Sequence, residues 1–219
     1  ESKNKIIRLL TSRQLTKKLH HNYYEYLKMA DKIHVCAKWL EKLIIRQGFK
    51  QNKVKFIRAG IPKGNLKHTR KFMEDGVLKL IYFGRCDEKK GIHLIIKAIK
   101  KLKKKTPIKL DIFTQDWEGE YYVKISKLIN NDQKFQVFFN HKRENILNSL
   151  NQYDLVVIPS LWFETGPLVA LEALSSGIPI AGTNRGGIKE ILEKIDNCFL
   201  VKPNIKSWLN LFVELLLRK

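Results

Sequence analysis

The sequence predicts an α/β protein built on a doubly wound parallel sheet, and three observations predict it. From Val77 onward, short apolar runs alternate with segments of helical length. The runs are nearly continuous in Val, Ile, Leu and Phe, as strands buried on both faces are. Each run leads into a polar, often glycine-bearing loop before the next helix, the rhythm of strand–helix crossovers in a parallel sheet.

The elements follow in order. A basic amphipathic helix is expected through Leu27, then a strand in "ADKIHVCA" (30–37) and a helix over 38–47 stopped by Gly48. "KVKFIRAGIP" (53–62) reads as a strand ending in a Gly/Pro turn, and 63–75 as a polar, basic loop or linker. Strands are then predicted at 77–83, 108–114, 135–139, 154–158 and 178–182, with a weaker one at 198–201. Helices are predicted near 91–104, 120–130, 143–151, 167–175 and 187–194. The final stretch, "IKSWLNLFVELLLRK", places Trp208, Leu211, Phe212, Leu215 and Leu216 at helical spacing and needs a partner for that face. The chain thus divides into 1–60, 61–204 and 205–219. It opens on Glu1 and enters a helical pattern at once, so it reads as a piece of a longer protein.

Composition bounds the function. The 219 residues are 44% hydrophobic, enough for a core, yet no run of about eighteen apolar residues marks a spanning helix. No signal-peptide pattern is present. Cys36, Cys86 and Cys198 are odd in number and far apart, which suits free thiols rather than a disulfide or metal framework. The net charge of +21 admits an anionic membrane surface, nucleic acid or an acidic polymer as partner, and equally a solvated lysine-rich surface. The run Lys100–Lys105 reads as a helix end, where cations complement the dipole. Nucleic acid is the poorest fit: no recognition motif accompanies the charge, and Tyr23, Tyr24 and Tyr26 are too local to form a stacking platform.

In an open parallel sheet, ligands bind beyond the carboxyl ends of the strands. The loops there are "GRCDEKKG" (84–91), "QDWEG", "NHKRE", "PSLWFETGP" (159–167) and "TNRGG" (183–187). They gather Gly84, Arg85, Lys90, Glu164, Gly166, Arg185, Gly186 and Gly187 into one crevice. Pro167 suits the first position of a helix, Gly166 its cap and Gly177 its stop. The amides of Gly166, Leu168 and Val169 then form an anion site at that helix start. Glu164 lies just before the helix. Glu172 lies more than a turn inside it, between Leu171 and Ala173, where an unpaired carboxylate is costly. Carboxylates accept hydrogen bonds from sugar hydroxyls, while Arg85 and Lys90 offset phosphate charge. A diphosphate flanked by hydroxyl-rich groups, the shape of a nucleotide sugar, fits this set. A dinucleotide oxidoreductase does not, since no G-x-G-x-x-G follows a strand.

Three segments carry a resemblance to a known family. They are "YFGRCDEKKGIHLIIKAI" (82–99), "PSLWFETGPLVALEALSSGIPIAGTNRGGIKEIL" (159–192) and "ADKIHVCAKWLEKLIIRQGFKQNKVKFIRAGIP" (30–62). The chain resembles the retaining GT-B glycosyltransferases of glycosyltransferase family 4. The second segment matches their hallmark pair of glutamates separated by seven residues. The resemblance implies that 1–60 is the tail of an acceptor-side domain with its linker, that 61–204 is a Rossmann-like donor domain, and that 205–219 is a C-terminal helix. It implies a UDP- or GDP-linked sugar as donor and a glycan or lipid-linked acceptor. It assigns Arg85 and Lys90 to the diphosphate, Glu164 to the transferred sugar and Glu172 to the ribose. Gly166, Pro167, Leu168 and Val169 would face the phosphates, and Asn140 and His141 the base. Transfer with retention and no bound metal or other cofactor is implied, at the cytoplasmic side and peripheral to the inner face of the membrane. The piece alone is expected to bind donor weakly and transfer little. Gly166-Pro167 stands where the family more often has Phe-Gly, and "TQDWEG" replaces its glycine-rich turn. Tyr153-Asp154 replaces the usual Ala-Asp. The rival reading is a non-catalytic basic module docking on nucleic acid or anionic membrane.

Overall fold

The computed structural model describes residues 2–60, 67–115 and 119–218, with side chains in the first helix from Arg13 onward. The chain forms two compact units, Glu1–Ile57 and Arg58–Lys219.

In the first unit, α1 (Ser2–Met29) precedes β1 (Ile33–Val35), α2 (Lys38–Arg46) and β2 (Val54–Phe56). The two strands pair in parallel, Ile33 opposite Val54 and Val35 opposite Phe56. Both are shorter than the apolar runs suggest, and the buried side chains among the described residues of these runs are Ile33, Val35, Ala37 and Val54. Ile33, Val35 and Val54 pack with Ile44 and Phe49 into a small core, onto which Tyr24 and Leu27 of α1 fold. Tyr24 meets Phe49 edge-on at 5.0 Å, whereas Tyr23 and Tyr26 remain exposed. Gly48 takes φ 96° just past α2, the left-handed turn that glycine adopts without a Cβ penalty.

The second unit runs β3 (Leu78–Phe83), α3 (Ile92–Lys100), β4 (Ile108–Thr114), α4 (Glu120–Ile129), β5 (Phe135–Phe139) and α5 (Arg143–Ser149). It continues β6 (Leu155–Ile158), α6 (Leu168–Ser176), β7 (Ile180–Thr183), α7 (Gly186–Leu192), β8 (Cys198–Val201) and α8 (Ile205–Leu217). All six strands from β3 onward are parallel, in the order β5-β4-β3-β6-β7-β8. This is the predicted doubly wound sheet flanked by helices.

Strand side chains alternate between two cores. Leu80 and Tyr82 face one with Ile95, Ile99 and Trp208; Ile81 and Phe83 face the other with Ala170, Ala173 and Ile188. The apolar stripe of α8 finds its partner in the first core: Trp208, Leu211, Phe212 and Leu215 are buried there. The side chain of Asn204 caps α8 by accepting from the Ser207 amide at 2.9 Å.

One expectation needs correction. The lysine run is not a helix end throughout, since α3 stops at Lys100 and Lys103–Lys105 lie in the turns before β4. Pro107, which disfavours helical geometry at the residue before it, stands just ahead of that strand. The stretch read as a loop or linker is a loop from Lys67 onward, and it is bonded to the rest of its unit; positions 61–66 lie outside the described residues. The His68 amide donates to the Ser176 carbonyl at 2.8 Å, and the Thr69 amide to Asn151 Oδ1 at 2.6 Å. Arg70, whose side chain is 4% exposed, donates from Nε to Asp154 Oδ1 at 2.9 Å. Asp154 also accepts from the amides of Met73 and Lys79. The Tyr153-Asp154 pair therefore ties the 68–79 segment to the start of β6.

Cys36, Cys86 and Cys198 are half-buried free thiols, and burial pushes Cys86 up to about 11. Among the described residues no helix is long and apolar enough to cross a membrane.

Candidate functional site

The strand order reverses between β3 and β6, which lie side by side although β4 and β5 intervene in the chain. From β3 the chain turns toward α3 on one face; from β6 it turns toward α6 on the other. A crevice opens at such a point, beyond the carboxyl ends.

The loop after β3 forms the first wall. Tyr82, whose buried hydroxyl is pushed well up by desolvation, donates to the Arg85 carbonyl at 2.6 Å. Asp87 caps a short turn by accepting from the Lys89 amide at 2.7 Å. Gly91 ends that turn at φ 72°, and a Cβ there would lie 2.1 Å from the Pro159 carbonyl oxygen. Only glycine lets the loops after β3 and β6 come this close. The approach is sealed by the Leu161 amide, which donates to the Lys89 carbonyl at 2.7 Å. It brings Lys90 Nζ to 2.7 Å from Glu164 Oε1, where Ser160 Oγ also donates at 2.7 Å. Arg85 has no side-chain partner among the described residues.

The loop after β7 holds the second wall from behind. The Gly187 amide donates to the Glu164 carbonyl at 2.6 Å. Cβ atoms on Gly186 and Gly187 would fall 3.0 and 2.6 Å from that same oxygen. Arg185 does not face the crevice as a free cation: Nη1 donates to the Leu161 carbonyl at 2.6 Å, and the guanidinium lies 5.0 Å from the Phe163 ring centroid. Thr183 Oγ1 donates to the Ser160 carbonyl at 2.7 Å.

Helix α6 begins one residue later than expected. Pro167 is its cap, at φ −65° and ψ 113°, so Leu168 rather than Pro167 is the first helical residue. The consequence favours anion binding, because the first turn then begins with two residues that carry N–H groups. Leu168 and Val169 line a cavity of about 330 Å3 together with Arg85, His141, Arg143 and Glu172. A second cavity of about 350 Å3 is lined by Arg85, Asp87, Lys89, Lys90, Trp162 and Glu164. Arg85 stands on the wall of both.

Glu172 is 5% exposed, and Arg143 at the start of α5 grips it, with Nε and Nη2 both directed to Oε1. Burial pushes this carboxyl above the ordinary glutamate range, and Arg143 draws it part of the way back. Gly84 joins Arg85 on the wall of the cavity that Glu172 lines, as does His141, which meets Phe113 and Phe138 edge-on at 5.4 and 5.6 Å. Asn140 turns the chain out of β5 at φ 55° without lining either cavity. Gly166 lies behind the crevice, its nitrogen 3.2 Å from where a Cβ on Gly187 would be. Of the "TQDWEG" turn, Asp116, Trp117 and Glu118 lie outside the described residues.

Several residues escaped sequence reasoning. Arg143 had one local signal, a cation at the first position of a helix, where the dipole disfavours it. Ser160 and Thr183 had none, since each acts through a partner that only the sheet brings near. Thr114, whose buried hydroxyl has no partner among the described residues, also lines the Glu172 cavity.

The family described as "Glycosyl transferases group 1" matches residues 66–218. A lipopolysaccharide 1,2-N-acetylglucosaminetransferase of Salmonella typhimurium is 29% identical over 153 residues, 65% of this chain and 39% of that protein. A glycogen synthase of Mycobacterium tuberculosis is 31% identical over 145 residues, 61% of this chain and 32% of that protein. The chain spans about a third to a half of the length of the curated relatives it matches. Among solved structures, Anabaena Alr3699/HepE in complex with UDP-glucose superposes with a TM-score of 0.69 at 19% identity, covering 84% of this chain and 54% of that one. Sucrose-phosphate synthase of Thermosynechococcus elongatus gives 0.75 at 19% identity, covering 90% and 51%. The match over 66–218 takes in the whole sheet and both walls of its crevice, and this chain belongs to the glycosyl transferases group 1 family.

Proposed function

We propose that this chain is the donor-binding half of a retaining glycosyltransferase of family 4, moving a hexosyl group from a UDP- or GDP-linked sugar to a glycan or lipid-linked acceptor. One observation carries the reading: two paired glutamates, Lys90–Glu164 and Arg143–Glu172, stand on either side of the α6 amino terminus, with the unpaired Arg85 between their two cavities. The UDP-glucose held by the Anabaena neighbour of the same fold supports this reading.

The diphosphate lies across the start of α6, accepting from the Leu168 and Val169 amides and facing Arg85 and Lys90. Glu172 takes a ribose hydroxyl, and Asn140 and His141 stand toward the base. Glu164 faces hydroxyls of the transferred sugar while holding Lys90 in place. When the bond between the anomeric carbon and the diphosphate oxygen breaks, the electron pair goes to the diphosphate. Arg85, Lys90 and the two amides are already oriented to stabilise that charge, which is how a preorganised site lowers a barrier. The acceptor oxygen forms its bond to the same face of the anomeric carbon as its O–H bond breaks, and the proton passes to the departing diphosphate oxygen, giving retention.

Calorimetry of the 219-residue chain with UDP-glucose, GDP-mannose and ADP-glucose tests the reading. One of them binds wild type, and Glu172→Ala weakens that ligand by about tenfold or more. Absence of binding by all three overturns it.

Peripheral association with an anionic membrane draws on a separate observation. Lys104, Lys105 and Lys109 line a groove of about 730 Å3 at the amino ends of the strands, opposite the crevice. Lys100 and Lys134 at the same groove are bonded to backbone carbonyls, but Lys104 and Lys105 have no partner among the described residues. No aromatic lines the groove, which favours headgroups over single-stranded nucleic acid. Sedimentation with phosphatidylglycerol vesicles, retained at low salt and lost in Lys104→Glu/Lys105→Glu, supports this; equal binding to phosphatidylcholine vesicles contradicts it.

A further inference from the structure

The two ion pairs of the crevice are built differently. Lys90, a point charge, shares Glu164 Oε1 with the Ser160 hydroxyl. Arg143 brings a planar fork to Glu172, and both its contacting nitrogens converge on Oε1. Oε2 of Glu172 has no partner among the described residues, and Glu172 lines the cavity that Leu168 and Val169 share. Arg143 itself is 56% exposed at its side chain, against 7% for Glu172. The buried member is therefore the carboxylate. The cation reaches it from a half-open position on another helix.

We propose that Arg143 is a positioning residue for nucleotide-sugar binding: by occupying Oε1 it fixes Glu172 as an ionised, one-oxygen acceptor that offers Oε2 to a single ribose hydroxyl. This rests on the donor-site reading above and deepens it. A carboxylate with both oxygens open spans a vicinal diol; one with Oε1 already taken receives one hydroxyl and leaves the other to a different partner. Loss of either ribose hydroxyl is then unequal in effect, and the inequality depends on Arg143.

The pair has a second consequence. Desolvation at this site favours the protonated acid, which presents a poorer acceptor to a hydroxyl. Besides Arg143, the charged or titratable groups lining the cavity are Arg85 from the loop after β3 and His141 from the loop after β5. Arg143 is the one that touches the carboxylate. Removing it leaves Glu172 buried without its contacting cation, so protonation competes with ligand binding at a higher pH than in wild type.

The experiment is calorimetric affinity for UDP-glucose, whose diphosphate does not titrate in this range, between pH 5.5 and pH 8.5. It uses the full 219-residue chain as wild type, Arg143→Met and Arg143→Lys. Circular dichroism and melting temperature check that each variant is folded. Arg143→Met is expected to lose about tenfold in affinity at the acid end relative to the alkaline end, beyond any change in wild type. Arg143→Lys restores most of the flat profile, because charge without the fork still supports the ion. Probed with the 2′-deoxy and 3′-deoxy analogues, wild type discriminates between them, and Arg143→Met at pH 8.5 discriminates less. Wild-type binding with a parallel pH profile in Arg143→Met overturns this inference and leaves the donor-site reading standing. Failure of wild type to bind UDP-glucose, GDP-mannose or ADP-glucose overturns both.

Discussion

The backbone amide of Gly187 is bonded to the backbone carbonyl of Glu164 at 2.6 Å, so the loop after β7 sets the position of a side chain that belongs to the loop after β6. Glycine at 186 and 187 is a requirement of contact as much as of turning. The glutamate that faces the cavity shared with Lys90 is placed by residues that never enter it.

Gly187→Ala drives a Cβ to 2.6 Å from the Glu164 carbonyl oxygen, a backbone atom with little freedom to yield. The expected cost is about 1–3 kcal/mol of stability, measured by urea unfolding. Nucleotide-sugar affinity should fall further than that cost explains, because the Glu164 loop is what moves. An alanine variant with unchanged affinity would mean the loop is held by other contacts.

Asp154→Asn attacks the tie between the 68–79 segment and β6. Asp154 accepts at both oxygens, from Arg70, Met73 and Lys79, and Asn replaces one acceptor with a donor aimed at another donor. The Arg70 side chain is 4% exposed and, among the described residues, is left with the more exposed Glu74 and Asp75 as ionic partners. Breaking a buried pair in this way costs about 3–5 kcal/mol, readable as a lower melting temperature.

Glu172→Gln separates stability from binding. Burial raises the Glu172 carboxyl above its unfolded value, so the folded state binds this proton more tightly than the unfolded chain does. Its contribution is therefore present at acid pH and lost as pH rises past the ordinary glutamate range. At neutral pH the neutral isostere should match or exceed wild-type stability, by up to ~1 kcal/mol, while UDP-glucose affinity drops. Chemical denaturation at pH 5 and pH 8 reads the first effect and calorimetry the second.

His93 predicts the opposite pH trend on the far face of the sheet. It pairs with the Tyr121 hydroxyl at 2.8 Å, and burial, with Lys124 and Lys97 nearby, lowers its pKa from 6.5. The unfolded chain takes up this proton first, so the pair's contribution is present at higher pH and is lost as pH falls from about that value. His93→Gln should flatten the acid side of the melting profile by ~0.5 kcal/mol, a small effect because the site is half exposed.

Much of the fold was legible because strands buried on both faces must be apolar along their whole length, and "LKLIYF", "LVVI" and "IAGT" are nearly so. The crevice loops were legible for a related reason: they follow those strands directly. Helix ends were less so. The start of α6 shifted by one residue because a ψ of 113° at Pro167 is decided by the loop it closes, not by proline's fixed φ. The stretch 63–75 read only as a loop or linker, because the partners of its described part, Asn151 and Asp154 before β6 and Ser176 at the end of α6, lie far along the chain.

By itself, the sequence determined the parallel sheet, the crevice at its carboxyl ends and the presence there of Arg85, Lys90, Glu164 and Glu172, since local pattern and chain order suffice for each. Only the tertiary structure decided their pairing. Lys90 meets Glu164 across 74 residues, Arg143 meets Glu172 across 29, and Arg70 meets Asp154 across 84. Such contacts depend on which strands are neighbours and how closely their loops approach. Here that rests on β3 lying beside β6, and on a glycine at 91 with no side chain to hold Pro159 away.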